Sequence, residues 1–209
     1  MSSWKKITFK CRVILRNAYA NHKNITGIYT LSLTFSPLKQ ANKDDTAWFH
    51  AVYDEAFPDF EQRTRQGRDY ILRHAAHYQA LIILDGNTRA GILGGWSLQA
   101  GFYIEHFAVD RHLRGRQLGR QAMEAIVACY GKVILEIDPP VDHVSQRRLA
   151  FYQACGFVSN PYPHRHPNYK PQYAPHSLVV LSHPETLSPQ AYQAFAIMLN
   201  TDVMAEEGL

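Results

Sequence analysis

The residue types best suited to binding chemistry lie in one stretch, YIEHFAVDRHLRGRQLGRQAM, at positions 103–123. Its pattern predicts a strand ending at Val109, a loop, and a helix that begins at about Gln117. The first amides of a helix have no internal partner, and the helix dipole places partial positive charge there. The stretch therefore predicts an anion site suited to a phosphate or diphosphate; an arginine-rich surface turn is the alternative.

The loop composition supports an anion site. Positive charge comes from three side chains: Arg114, Arg116 and Arg120. Gly115 and Gly119 allow a phosphate to approach the backbone closely, because glycine has no side chain. The sequence GxxxxGK[ST] is absent, so this is not the phosphate loop of the nucleotide hydrolases.

The surrounding pattern predicts the elements that position this loop. Strands are expected at 31–38, 78–84, 90–98, 102–109, 132–137 and 177–183. Helices are expected after Asp44 and Asp45, which are placed as N-caps, then at about 70–75, 117–130 and 145–155, and after Ser188. A meander followed by alternating strands and helices predicts an α/β fold, with a mixed sheet and helices on both faces.

The charge is unevenly distributed. The net charge is +4, yet eight lysine and arginine residues precede the first acidic residue, Asp44, so the rest of the chain is net negative. We interpret residues 1–30 as a basic extension, 31–185 as the main domain and 186–209 as a C-terminal helix. The extension could instead bind nucleic acid, although the negative body argues against that role.

Composition bounds the setting of the protein. Hydrophobic residues make up 46% of the chain, and no apolar run reaches the length of about 20 residues that crosses a bilayer. The three cysteines are widely spaced and form no CxxC pair, which favours a reducing cytoplasm and no membrane partner. We expect none of them to act as a nucleophile.

Two motifs in order resemble the GNAT superfamily of N-acetyltransferases, and specifically a bacterial subgroup. Arg114 and Gly119 match the family's diphosphate loop, [Q/R]-x-x-G-x-[G/A], while Gln117 stands where glycine is usual. RRLAFYQACGF at 147–157 resembles the family's second motif, and EAFPDFEQR at 55–63 resembles the bacterial subgroup. The resemblance covers about residues 31–183 and implies a GNAT-like, mostly antiparallel central sheet.

The resemblance implies acetyl-CoA as co-substrate, with no metal. The strand ending at Val109 would separate from the strand at 132–137, so that the pantetheine amides pair with Phe107, Ala108 and Val109. A backbone N–H there would polarise the thioester carbonyl. The diphosphate would lie on the loop residues Arg114, Gly115, Arg116, Gln117, Leu118, Gly119 and Arg120. Tyr152 would be the general acid that protonates the departing thiolate.

Two positions depart from the family pattern. We expect Gln117 to be an ordinary first-turn helical residue, because a left-handed conformation would cost a side chain on the order of 1–2 kcal/mol. Ser145 stands where the family often has asparagine, so it is a candidate cofactor contact; the alternative is that it only caps its helix.

The base that takes a proton from the amine is expected at Glu105. Strand alternation predicts that Glu105 and His106 point to opposite faces, with Glu105 beside Tyr103, Phe107 and Val109. Aromatic neighbours would raise the pKa of Glu105. His106, a water relay, or a strand-end ion pair of Glu105 with an arginine are the alternatives.

Other polar residues would shape the acceptor side. Glu136 and Asp138 could bind a cationic acceptor, or form a solvated strand end. The proline-rich segment 160–176 is interpreted as a stiff lid, opposite Phe57 and Glu61. His164 and His166 could bind a metal, but no third ligand has a convincing spacing.

The function indicated is acetyl transfer to a small-molecule or peptide amine by direct attack in a ternary complex, by a monomer or homodimer. An inactive CoA-binding protein of the same fold is one alternative, and a nucleic-acid-binding module that uses the basic extension is another.

Overall fold

The computed structural model describes residues 33–205, whose strands form one mixed sheet with a short strand added at one side. The extension predicted at 1–30 lies outside the described residues. The strands are β1 (Leu33–Pro37), β2 (Tyr78–Asp85), β3 (Thr88–Leu98), β4 (Gly101–Val109), β5 (Val133–Ile137), β6 (Val158–Ser159), β7 (His164–His166) and β8 (His176–His183).

Five α-helices lie in the described range. They are α1 (Lys43–Ala56), α2 (Arg65–His74), α3 (Leu118–Tyr130), α4 (His143–Ala154) and α5 (Pro189–Met198), joined in part by short 3-10 turns such as Asp59–Glu61. The cap of α1 is Asn42, whose side chain accepts a hydrogen bond from the Asp45 amide. The prediction of Asp44 and Asp45 as caps is therefore wrong, and both lie in the first turn, where they complement the helix dipole. Residues 33–205 contain no helix of the length and apolarity that spanning a bilayer requires.

The sheet order is β1-β2-β3-β4-β5-β8-β6, with β7 paired to β8. Every pairing is antiparallel except that of β4 with β5. This confirms the mixed, mostly antiparallel sheet. The parallel pair extends only from Phe102 to Ile104 on β4, opposite Val133 to Leu135 on β5. Beyond those residues the two strands separate, as the resemblance implies.

Apolar side chains from both sheet faces form two cores. On one face Tyr53 of α1, Ile71 of α2 and Phe195 of α5 pack against the sheet. On the other face Met123 of α3 and Phe157 after α4 do the same. Burial of each such side chain contributes roughly 1.5–3 kcal/mol. Because Phe195 is fully buried, the C-terminal helix belongs to the first core.

Candidate active site

A cavity of about 560 Å³ opens where β4 and β5 separate. One wall is lined by Phe107–Val109, Arg114 and Tyr152. The rest of the loop and the helix start at 110–120 continue from this wall in the chain, and we call the wall together with this stretch the loop side. The opposite wall, the turn side, consists of the turn Phe57–Glu61 and segment 160–176, from which His166, Tyr169 and His176 line the cavity. Glu105, His106 and Glu136 line the cavity between these walls.

The loop side presents free backbone. Asp110 donates its amide to Ala90 on β3 at 2.9 Å, so alternation directs the amide of Ala108 to β3 and those of Phe107 and Val109 away from it. The Val109 carbonyl accepts a hydrogen bond from Arg114 Nε at 3.4 Å, on the side away from β3. Since β5 no longer pairs here, the edge at Phe107 and Val109 is open to the cavity.

Helix α3 begins without a side-chain cap, unlike the other four α-helices described, each of which has one. The first internal hydrogen bond of α3 joins the Gln121 amide to the Gln117 carbonyl at 3.0 Å. The amides of Leu118, Gly119 and Arg120 precede that bond and so have no partner within the helix. These amides are the backbone donors that the predicted anion site requires, and the binding of an anion there stays a prediction.

Gln117 adopts the left-handed conformation, with φ 59° and ψ 9°. It is the one non-glycine residue between Leu33 and Ala205 with positive φ. The expectation of an ordinary helical residue is therefore wrong. The reason is that the loop turns sharply through Gly115, φ 82°, and Gln117 before it enters α3. A side chain in that conformation costs on the order of 1–2 kcal/mol.

The charged and small residues of the loop differ in availability. Arg114 and Arg116 are exposed, whereas Arg120 is paired with Glu124 at 2.9 Å. A Cβ on Gly119 would meet Phe151 and Val109 at 3.5 Å, an ordinary contact. The fold therefore leaves room for a side chain at Gly119.

Tyr152 and Ser145 lie on the same helix, but only Tyr152 lines the cavity. Burial raises the pKa of Tyr152 to about 12. Ser145 is buried and forms a capping box with Asp142: its amide donates to Asp142 Oδ1 at 2.8 Å, and its Oγ accepts from the Asp142 amide at 3.0 Å. The capping alternative describes Ser145, so the structure does not bring this predicted cofactor contact to the cavity.

A β-bulge changes the direction of Glu105. The register shifts between Gly94 and Gly95, which pair with His106 and Ile104, so Glu105 is the extra residue. A bulge interrupts the two-residue alternation. Glu105 and His106 consequently both point to the face that carries α1, and the prediction of opposite faces is wrong. Phe107 and Val109 pack on the other face, so Glu105 does not share a face with them.

The carboxylate of Glu105 is fully buried and held by Arg63. Arg63 Nε donates to Oε1 at 2.7 Å, Trp96 Nε1 donates to Oε2 at 2.7 Å, and Tyr169 donates its hydroxyl to Oε1 at 3.1 Å. Burial by itself raises the pKa of Glu105, but the charge of Arg63 and these hydrogen bonds outweigh it, so the pKa lies below its usual value. The predicted raised pKa is therefore wrong, and the arginine ion pair that stood as the alternative is present.

His106 anchors the turn side to β4. Its Nε2 lies 3.0 Å from the Glu61 carbonyl and 3.0 Å from the Tyr53 hydroxyl. Because a carbonyl only accepts, Nε2 carries the hydrogen in that contact. Burial lowers the pKa of His106 to about 4, which makes it a weak base. Its role in the structure is to hold the backbone of Glu61 against the bulge.

Glu61 is predicted from the sequence to lie on the acceptor side, opposite segment 160–176, but it is not the predicted base. It lies half-buried in the cavity wall, and its carboxylate forms no hydrogen bond or ion pair within residues 33–205. Burial and then the charge of Asp138 raise its pKa to about 7, against an opposing effect of Arg148. This environment depends on the fold, because His106, next to the bulge of β4, holds the backbone of Glu61. The sequence around Glu61 does not show it.

The remaining acidic candidates are paired. The carboxylate of Glu136 is buried and hydrogen-bonded to the Tyr103 hydroxyl and to Nε2 of His164. Burial raises the pKa of Glu136, but His166, His164 and Tyr103 outweigh it and lower the pKa below its usual value. Asp138 pairs with Arg148 at 2.5 Å. Glu136 is therefore not a solvated strand end.

Segment 160–176 is built into the fold. Its strand β7 pairs with β8, and His164, His166 and Tyr169 are buried. The interpretation as a lid missed β7, because three residues with two histidines give no strand signal. In the described part of the chain, no three His, Cys, Asp or Glu side chains are grouped as a metal site.

Comparison with known proteins gives a family match. Residues 46–157, more than half of the chain, match the model of the Acetyltransferase (GNAT) family. No curated protein sequence matches the chain.

Solved structures show the same fold. A GNAT-family protein from Bacteroides thetaiotaomicron superposes with a TM-score of 0.78 and 23% identity, over 82% of this chain and 98% of that one. The acetyltransferase from Salmonella typhimurium that modifies the N-terminal serine of ribosomal protein L7/L12 gives a TM-score of 0.52 and 16% identity, over 72% and 93%. An acetyltransferase from Thermus thermophilus gives 0.51 and 17%, over 74% and 97%.

Proposed function

The chain belongs to the GNAT family of acetyltransferases and is an acyltransferase, and from this premise we propose that it transfers acetyl from acetyl-CoA to an amine by direct attack. The observation that carries the proposal is the joining of two features in one cavity. The open edge of β4 and the uncapped start of α3 form the loop side, while an unpaired carboxyl group of raised pKa lies on the turn side.

The loop side fits the donor substrate. The free edge at Phe107 and Val109 is complementary to the amides of pantetheine, which would pair with it as an added strand. The amides of Leu118, Gly119 and Arg120, together with the exposed Arg114 and Arg116, would hold the diphosphate. Ala108 contributes through its place in the strand, since its own amide faces β3. Ser145 takes no part, because its hydroxyl caps α4.

Glu61 is the proposed base. The amine nitrogen attacks the thioester carbonyl carbon, a C–N bond forms, and the nitrogen gives its proton to the Glu61 carboxylate. A pKa of about 7 leaves a substantial fraction of Glu61 ionised at neutral pH while keeping it a useful base. Glu105, the candidate from sequence, is the weaker base, because hydrogen bonds from Arg63, Trp96 and Tyr169 engage both of its oxygens and its pKa lies below the usual value.

Tyr152 is the proposed acid. As the C–S bond breaks, its hydroxyl donates a proton to the departing thiolate, and solvent then restores the proton to the phenolate. Its pKa of about 12 keeps the hydroxyl protonated throughout the neutral range. The three cysteines are not needed, because no acyl group is carried by the protein.

A pH profile of kcat/KM tests the assignment of Glu61. We expect the rate of CoA release to rise through a pKa of about 7 in the wild type. Glu61→Gln removes that limb and lowers kcat/KM by about 100-fold, the typical contribution of a general base. Glu185→Gln, an exposed carboxylate away from the cavity, is the matched control and keeps the wild-type profile.

Two results would reject parts of this proposal. An unchanged limb in Glu61→Gln would remove Glu61 from the mechanism. CoA binding without acetyl transfer to any amine in a broad panel would identify a binding protein of the same fold.

A further inference from the structure

Aromatic rings form a continuous wall on the acceptor side of the cavity. We call this wall the ring arc; it consists of Phe57, His106, Tyr169, His166, His176 and Phe60, all of which line the cavity. Successive ring centroids are 4.7, 5.8, 4.9, 6.1 and 5.5 Å apart. Rings at this spacing pack against one another, and their flat faces and edges are complementary to those of a further aromatic group.

Charge in the same region is almost fully paired. Among the described residues, the carboxylates that line the cavity are Glu61, Glu105, Glu136 and Asp138. Arg63 holds Glu105, His164 and Tyr103 hold Glu136, and Arg148 holds Asp138. One carboxylate, Glu61, is therefore left for the reacting amine. A second positive charge on the acceptor would be buried without a partner, which is costly.

The ring arc is closed at its outer end. Asp59 in the turn accepts hydrogen bonds from Lys170 and from the Tyr173 hydroxyl, both in segment 160–176, the latter at 2.7 Å. The ring of Phe60 lies 6.2 Å from that of Tyr173. These contacts join the two parts of the turn side into one wall, which suits a small acceptor better than a folded protein surface.

We propose that the acceptor is a small primary amine carried on a flat aromatic group, with no second positive charge. This inference rests on the proposed function and names its substrate class. The amine would meet Glu61, while the aromatic group would lie against the ring arc and displace water from it.

Acetyl transfer by the full chain to four amines tests the proposal, with CoA release as the readout. 2-Phenylethylamine and 2-cyclohexylethylamine have the same carbon count and differ in flatness; spermidine adds positive charge; a short peptide offers a free N-terminus. We expect kcat/KM to be highest for 2-phenylethylamine, at least about tenfold above spermidine and the peptide, and severalfold above the cyclohexyl amine.

A variant of the ring arc sharpens the test. Phe60 is 39% exposed, so Phe60→Ala is expected to fold. It should lower kcat/KM for 2-phenylethylamine by about tenfold and lower that for ethylamine, which carries no ring, by a clearly smaller factor. Ile197→Ala, an exposed apolar residue on α5, is the matched control and should change neither.

The outcomes separate this inference from the proposed function. Preference for spermidine or the peptide, or an equal loss for both amines in Phe60→Ala, overturns the aromatic acceptor while acetyl transfer stands. Absence of CoA binding in a calorimetric titration of the same protein overturns both.

Discussion

The two walls of the cavity are built in different ways. The loop side uses backbone amides and exposed arginines that lie within residues 107–120, joined by Tyr152. The turn side uses buried side chains from distant positions: Arg63 and Glu105 are 42 residues apart in the sequence, and Tyr169 and Glu105 are 64 apart. The loop side therefore depends on local conformation, and the turn side on the packing of the whole fold.

This difference separates the binding of the donor, which depends on backbone, from the choice of the acceptor, which depends on side chains. A diphosphate and a pantetheine can be held by backbone, which almost any sequence provides once its turns are correct. An acceptor amine is selected by side chains, and side chains can be substituted while the backbone of the sheet stays the same. We expect substitutions on the turn side to affect stability and acceptor choice, and substitutions on the loop side to affect donor binding.

The largest effect is expected for Arg63→Met. It leaves the buried Glu105 carboxylate without its cation and should lower the free energy of unfolding by about 3–5 kcal/mol. Without Arg63, burial dominates and the folded-state pKa of Glu105 rises above its unfolded value. A raised folded pKa gives stability that is lost as pH increases, so the deficit should be larger at pH 8 than at pH 5.

Urea unfolding of both proteins at the two pH values measures this deficit. Arg73→Met, on an exposed position of α2, is the control and should cost little at either pH. A deficit that is small, or that grows as pH falls, would contradict the account of the Arg63–Glu105 pair.

The next largest effect is expected on CoA binding, in the double variant Arg114→Ala with Gly119→Asp. It removes a cation and adds an anion at the start of α3, so CoA affinity should drop by at least about 100-fold. Arg73→Ala with Gly86→Asp changes the charge equally at positions away from the cavity. Isothermal titration with CoA compares the two, and equal affinities would mean that the loop does not hold the diphosphate.

Tyr152→Phe should lower kcat by about 10- to 100-fold, less than the upper range for an acid, because a thiolate is already a good leaving group. CoA affinity should remain within twofold, since the hydroxyl acts only at the sulfur. Steady-state kinetics and calorimetry are compared with Tyr70→Phe as control. Undiminished kcat would exclude Tyr152 as the acid.

The smallest effect is a gain. Gln117→Gly relieves the left-handed strain at the start of α3 and should raise the free energy of unfolding by about 0.5–1 kcal/mol. Gln121→Gly, inside the same helix, should lower it by about 1 kcal/mol. Thermal and urea unfolding distinguish the signs, and a loss at Gln117 would show that its side chain makes a favourable contact that outweighs the strain.

Much of the fold and of the loop side follows from local sequence. Alternating residues at 78–109 predict the meander, and GRQLGRQAM predicts the helix start, because strand and helix periods are local properties. The bulge at Glu105 was missed, since it depends on the paired glycines Gly94 and Gly95 of the neighbouring strand. The left-handed Gln117 was missed because its helical sequence context favours the other conformation.

The turn side was predicted least well. The raised pKa of Glu61 arises from its burial in the cavity wall and from the charge of Asp138. Asp138 is distant in the sequence, and no short motif encodes that proximity. The sequence predicts an ion pair of Glu105 with an arginine only as a general alternative, because it does not show which arginine reaches a buried carboxylate.

Amide hydrogen exchange of the full chain, with and without CoA, tests the central assignment most directly. We predict that CoA slows exchange at Phe107, at Val109 and at the amides of Leu118–Arg120, with little change in segment 160–176. Protection confined to segment 160–176, or no protection at the start of α3, would contradict the placement of the donor on the loop side.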